Sequence, residues 1–210
     1  LLGSRRGRKT LCLLAVLAMA AMGAILAGRS RAEAADGPPA SGTVRRAAPD
    51  FALADERGER FSLSDARGKV VCLTFFYTRC HGTCPDQVAK LQAVQRRFRD
   101  RLGRDLLVVA VSLDPVRDDR SALQAYQARL GCVDEGWRFL GGTREEVRAI
   151  LEAYQVAASV PAEISATTQI GHTALIVVVD RNGQRALELL GTTWEDSLLL
   201  EKVGELLAEE

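Results

Sequence analysis

Two stretches of this chain, Val70–Tyr77 (VVCLTFFY) and Leu106–Leu113 (LLVVAVSL), are apolar nearly throughout and rich in β-branched and aromatic residues. A strand with one face in water alternates apolar and polar residues; these do not, so both of their faces must be covered. The segment between them carries Val88, Leu91, Val94 and Phe98 at spacings of three, three and four among Gln, Arg and Lys, which predicts one amphipathic helix. Strand, helix, strand in that order calls for a parallel pair joined by a right-handed crossover. A one-faced sheet is excluded.

The flanking sequence extends the pattern. Phe51–Ala54 and Arg60–Leu63 flank Glu56-Arg57-Gly58-Glu59, where Gly58 can supply the positive φ of a tight hairpin. A helix is expected from about Asp118 to Leu130, with Leu123, Tyr126 and Leu130 inward and Gly131 as its stop. Another runs from Thr143 to about Tyr154: Thr143 and Glu146 form a capping box, and Val147, Ile150, Leu151 and Tyr154 make an apolar stripe. Ala174–Asp180 and Arg185–Leu190 should pair through Asn182-Gly183, and a last helix is expected over Thr193–Leu207. The predicted class is α/β, and the element order is that of a thioredoxin-like fold with an N-terminal β-hairpin.

Residues 1–28 obey different rules. Leu11–Ala27 is uncharged and apolar, at the lower limit of the roughly 17 to 25 residues that cross a bilayer. Arg5, Arg6, Arg8 and Lys9 precede it, so the N-terminus should stay cytoplasmic and the rest be exported. Arg5-Arg6 reads as ordinary flanking charge rather than a twin-arginine signal, because Arg8 stands where that signal usually has an apolar residue. An uncleaved signal-anchor or transmembrane segment is expected, with cleavage near Ala32-Glu33-Ala34 as the alternative. The expected location is the periplasmic face of a bacterial inner membrane, or the periplasm itself after cleavage. Cys12 lies inside the apolar run as filler. Residues 29–48, with Gly, Pro, Ser and Ala and no apolar period, read as a flexible linker, and 49–210 as the folded domain.

The formal net charge of +1 gives no reason to expect a nucleic-acid partner, and the balance is local: from Glu33 onward 22 basic residues face 27 acidic ones. Five cysteines in 210 residues are too few for a disulfide scaffold, and an odd count leaves one unpaired. Cys80 and Cys84 stand out, because Cys80-His81-Gly82-Thr83-Cys84-Pro85 occupies the turn between the first long strand and its helix. Free N–H groups and the positive end of the helix dipole favour thiolate there, and thiolate attacks disulfides and binds soft metals. A structural disulfide is the plainer alternative, which export permits. Copper(I) accepts soft thiolates at low coordination; an added imidazole would also hold copper(II), whereas zinc would want a fourth ligand or a water. The histidines are His81 and His172. His172 precedes an apolar strand that a parallel fold can bring beside Cys80, while His81, adjacent in sequence, tends to point away and reads as a solvated residue or an auxiliary ligand.

The chain from about Pro49 to Leu190 resembles the Sco/SenC family of membrane-tethered, thioredoxin-fold copper chaperones for cytochrome c oxidase assembly. The matching pieces are Pro49-Asp50-Phe51-Ala52-Leu53, Gly68-Lys69, Phe76-Tyr77-Thr78-Arg79-Cys80 through Cys84-Pro85, Val111-Ser112-Leu113-Asp114-Pro115-Val116-Arg117-Asp118, and His172 before a strand ending in Asp180-Arg181-Asn182-Gly183. The resemblance implies copper, Cu(I) and Cu(II), on Cys80, Cys84 and His172, handed to the copper-site subunit of a cytochrome c oxidase, with other copper carriers or thiol reductants as further partners. Between the cysteines the family usually has Pro then Asp or Asn where this chain has His81-Gly82, a departure that bears on tuning and affinity rather than on the ligand set. Thiol-disulfide oxidoreductases of the thioredoxin type carry C-x-x-C and a proline where His172 stands, so both differences favour metal. A thiol-disulfide reductase using Cys80 and Cys84, and a copper or redox sensor using the same ligands, are the competing functions.

The remaining candidates have plainer readings. Cys72 is a buried small hydrophobe, Cys132 an incidental loop residue, and Trp137 and Trp194 are packing residues. Asp114, Pro115, Arg117 and Asp118 serve as a helix cap and surface ion pair, or, as the resemblance implies, shape a docking surface.

Overall fold

The computed structural model describes residues 46–132, 135–161 and 163–209. The two apolar runs form strands β4 (Val70–Phe76) and β5 (Leu106–Ser112), parallel and in register from Val70 opposite Leu106 to Phe76 opposite Ser112. Every residue of both strands is buried. Side chains alternate across a strand, so Val70, Cys72 and Phe76 enter one core with Val108 and Ala110, whereas Val71, Leu73 and Phe75 enter a second with Val109 and Val111. Helices α1 (Cys84–Arg97), α2 (Arg120–Leu130) and α4 (Asp196–Ala208) cover the first core through Leu91, Val94, Leu123, Leu199 and Val203. Helix α3 (Arg144–Ala153) covers the second through Val147, Ile150 and Leu151. Each such side chain taken from water contributes about 1.5–3 kcal/mol.

The other strands are β1 (Arg46–Ala47), β2 (Ala52–Asp55), β3 (Arg60–Ser62), β6 (Trp137–Gly141), β7 (Ala158–Ser159), β8 (Gly171–His172), β9 (Leu175–Val179) and β10 (Gln184–Leu190). An eight-stranded sheet runs β1-β10-β9-β4-β5-β6-β2-β3, with β7 and β8 in a separate two-stranded sheet. The expected N-terminal hairpin is β2 with β3, turned at Gly58 (φ 86°), and β9 pairs with β10 around Gly183 (φ 72°). The result is the α/β, thioredoxin-like architecture expected.

Three features differ from the sequence reading. The parallel centre has three strands, since β6 pairs with β5 from Val108 opposite Trp137 to Val111 opposite Leu140. Arg46 and Ala47, assigned to the linker, pair with Arg185 and Gln184 as an edge strand, so regular structure begins before Pro49. The third helix keeps its box, Thr143 Oγ1 accepting from the Glu146 N–H and Glu146 from the Thr143 N–H, but α2 is capped by Asp119 rather than Asp118. No helix of the described residues is long and apolar enough to cross a membrane, and the expected span Leu11–Ala27 lies outside those residues.

Candidate metal centre

Strand β4 delivers the chain to a turn, Tyr77–Thr83, after which Cys84 opens α1 with Pro85 in its first turn. Thr83, at the cap position, makes no side-chain cap bond, so the helix start keeps N–H groups for another acceptor. Cys80 fills that role. The Cys84 thiol donates to it, burial opposes, and the N–H groups of Cys84 and Gly82 add to the first effect, so that the Cys80 pKa is lowered to about 3. The same contact, followed by burial, holds the Cys84 thiol protonated well above its ordinary range. Cys80 is half-buried and Cys84 buried, and neither is in a disulfide.

His172 arrives on the chain that leads into β9, the strand paired with β4. It lies in β8, opposite Ala158 of β7, and the Thr173 N–H donates to the Ala157 carbonyl at 2.9 Å. Its Nδ1 is 3.0 Å from the Thr173 carbonyl, to which it donates, leaving the Nε2 lone pair toward Cys84 Sγ at 3.3 Å. The ligand atoms of Cys80, Cys84 and His172 lie within 4.8 Å of one another, and among the described residues they form the one such group of His, Cys or carboxylate ligands. Two soft sulfurs and one imidazole with its lone pair free suit copper in either oxidation state.

A buried polar framework fixes both arms of this site. Asp118, raised in pKa chiefly by burial, accepts from the Thr78 N–H (3.0 Å), Thr78 Oγ1 (2.5 Å) and Ser112 Oγ (2.6 Å), tying the turn before Cys80 to the end of β5. Arg117 pairs with Asp114 and donates through Nη1 to the carbonyls of Ser165 and Thr168, both at 2.8 Å, gripping the loop that leads to His172. Tyr77 completes the link: its hydroxyl donates to Gln169 Oε1 (3.0 Å) and accepts from the Ile170 N–H (3.1 Å). The Asp114–Arg117 pair is therefore a buried strut rather than a surface ion pair, and Asp118 is a tether rather than a cap. The Asp114–Arg117 and Ser112–Asp118 contacts are local, but no local pattern marks the bonds to Thr78, Ser165, Thr168, Gln169 and Ile170, which join segments far apart along the chain.

His81 is exposed and stands apart from the three-ligand group, on an open groove of about 740 Å³ that Thr78, Arg79, Cys80, Arg129 and Gln169 also line. Cys72 is fully buried, its thiol pushed up to about 12 by desolvation. Cys132 follows α2 in a loop, as expected, but it is buried in the first core, where its thiol donates to the Leu130 carbonyl at 3.6 Å. Trp137 is buried in β6, stacked on Phe139 at 5.5 Å, while Trp194 is partly buried under the Lys90 ammonium, 4.2 Å from its ring.

Comparison with known proteins gives a consistent result. The mitochondrial protein SCO2 of Saccharomyces cerevisiae is 27% identical over 173 residues, covering 81% of this chain but 56% of its own, so the chain spans little more than half that relative's length. The crystal structure of Arabidopsis thaliana ScoI with copper bound superposes with a TM-score of 0.67 at 22% identity, covering 79% of this chain and all of that one. BsSco, described as a member of the Sco family of cytochrome c oxidase assembly proteins with a disulfide switch, matches with a TM-score of 0.65 at 18% identity, over 81% of this chain and 99% of its own. The family profile for SCO1/SenC matches residues 40–208, well over half of the chain, which therefore belongs to the SCO1/SenC family.

Proposed function

We propose that this protein is a copper chaperone that carries one copper ion on Cys80, Cys84 and His172 and passes it to the copper-site subunit of a cytochrome c oxidase during assembly. The observation that carries this reading is the convergence of two thiols and one imidazole within 4.8 Å at a strand-to-helix turn. Copper-bound and oxidase-assembly relatives of the same fold support it.

The chemistry is ligand exchange without net oxidation. Cys80, already a thiolate and half-exposed, meets the ion first. Cys84 then releases to water the proton that it donates to Cys80, and the His172 Nε2 lone pair adds a nitrogen donor. Release runs in reverse: a recipient thiolate entering from the groove beside Cys80 takes the ion as these donors let go, and Cys84 regains a proton. Residues 1–28 would anchor the chain and leave the domain exported beside a membrane-bound recipient.

One observation favours a second reading. A half-exposed thiolate beside a protonated thiol is also the arrangement of a thiol-disulfide reductase, with Cys80 attacking a target disulfide and Cys84 resolving the mixed disulfide. His172 separates the two. A reductase needs the sulfurs alone, whereas copper(II) prefers a nitrogen donor. His172→Ala should weaken copper(II) far more than copper(I) and leave the cysteines able to form a disulfide; His81→Ala should do much less. Anaerobic titrations of both variants in each oxidation state, with thiol content checked, decide the matter. Greater damage from His81→Ala, or none from either, would move the reductase reading ahead.

A further inference from the structure

Beneath the metal centre, the paired register of β4 and β9 ends at Thr74 opposite Ile176. From this fork β4 runs on to Cys80 and the chain before β9 runs back to His172, so the geometry here sets how far apart the two ligand arms stand. A polar cluster occupies the fork in an otherwise apolar layer. Thr74 Oγ1 donates to the Leu175 carbonyl at 3.1 Å, and Gln87 Nε2 donates to both Thr74 Oγ1 (3.2 Å) and that carbonyl (3.1 Å). Gln87 lies on α1 three residues after Cys84, just under one helical turn. One side-chain amide thus joins the strand that leads to Cys80, the helix that starts with Cys84 and the strand that follows His172.

This placement is costly. Gln87 is 1% exposed, and its Oε1 is buried without a hydrogen-bond partner among the described residues. An apolar side chain of the same length would fill the space without an unpaired acceptor, so packing alone does not account for an amide here. We propose that Gln87, with Thr74, is a positioning residue for the metal centre: it holds His172 at the distance from the two sulfurs that copper(II) requires. The inference rests on the copper reading above and adds to it an element outside the ligand set.

The consequence is selective. Two sulfurs on neighbouring turns of one segment can hold copper(I) wherever the imidazole stands, whereas copper(II) depends on the nitrogen. Removing a partner that orients a ligand typically costs 10–100-fold in metal affinity. Full-length wild type, Gln87→Met, Thr74→Val and Thr74→Ser are titrated anaerobically with Cu(I) and with Cu(II), the sulfur-to-copper(II) charge-transfer band is recorded, and metal-free thermal midpoints are measured. Gln87→Met and Thr74→Val should each weaken copper(II) by about tenfold or more and shift the band, while copper(I) affinity changes little; Thr74→Ser, which keeps the hydroxyl, should behave as wild type. Unchanged copper affinities and band in Gln87→Met and Thr74→Val, whatever happens to their thermal midpoints, would overturn the proposal and leave Gln87 a packing residue. If Gln87→Met does not fold, Thr74→Val decides alone. Failure of the wild type to hold either ion would instead overturn the copper reading, and this inference with it.

Discussion

Removal of the Asp118 carboxylate tests whether the site is held by buried polar struts. Three donors converge on this side chain: the Thr78 N–H, the Thr78 hydroxyl and the Ser112 hydroxyl. In Asp118→Ala the two hydroxyls can rotate to other acceptors, and Ser112 Oγ keeps the bond it accepts from the Asp114 N–H. The Thr78 N–H is fixed by the backbone and loses its acceptor. Hydrogen bonds to charged groups contribute about 1.5–3 kcal/mol each, and part of that is offset because a buried carboxylate no longer has to be desolvated, so the net loss should be about 3 kcal/mol. For a domain of this size that lowers the thermal midpoint by roughly 6–12 °C. The control is Asp119→Ala, which removes the exposed cap of α2 and should cost about 1 kcal/mol. Urea unfolding of the two full-length variants against wild type measures both. Equal losses in the two variants would refute the claim that Asp118 is a tether, and the turn before Cys80 would then be held by backbone geometry alone.

Two further outcomes are expected. Cys72→Ser should keep the copper stoichiometry and lose about 1–3 kcal/mol in urea unfolding, because it buries a hydroxyl between apolar strands; loss of copper would give Cys72 a role although it stands outside the three-ligand group. Cys80, with its pKa lowered to about 3, should be alkylated by iodoacetamide at pH 5 while Cys84 and Cys72 are spared, as read by mass mapping of the modified peptides. A depressed thiol pKa means that the reactive form is present above that value, so the Cys80 rate should rise little between pH 5 and pH 8; a steep rise across that interval would contradict the assigned thiolate.

The sequence makes some layers of this protein legible and hides others for physical reasons. Strands β4 and β5 are readable because burial on both faces leaves a long uninterrupted apolar run, and α3 because its cap and stripe agree. Strand β6 escapes because it is short and Arg138 interrupts it, with the Arg138 side chain directed toward Asp55 at 3.7 Å. Strand β1 escapes because two edge residues carry no period. Cys80 and Cys84 announce themselves by standing where a strand meets a helix. His172 could be tied to them only through the fold, which brings β8 within reach of α1. Gln87 and Asp118 look like ordinary polar residues on amphipathic segments; their burial arises from strands and loops far along the chain, and no local window contains it.

The central claim is that one copper ion sits on two sulfurs and one nitrogen. X-ray absorption at the copper edge, on the reduced full-length protein loaded with one equivalent of Cu(II) under argon, counts those neighbours directly. The account predicts two sulfur scatterers and a histidine nitrogen whose signature disappears in His172→Ala and persists in His81→Ala. A shell without sulfur, or a nitrogen signature that follows His81, would contradict it.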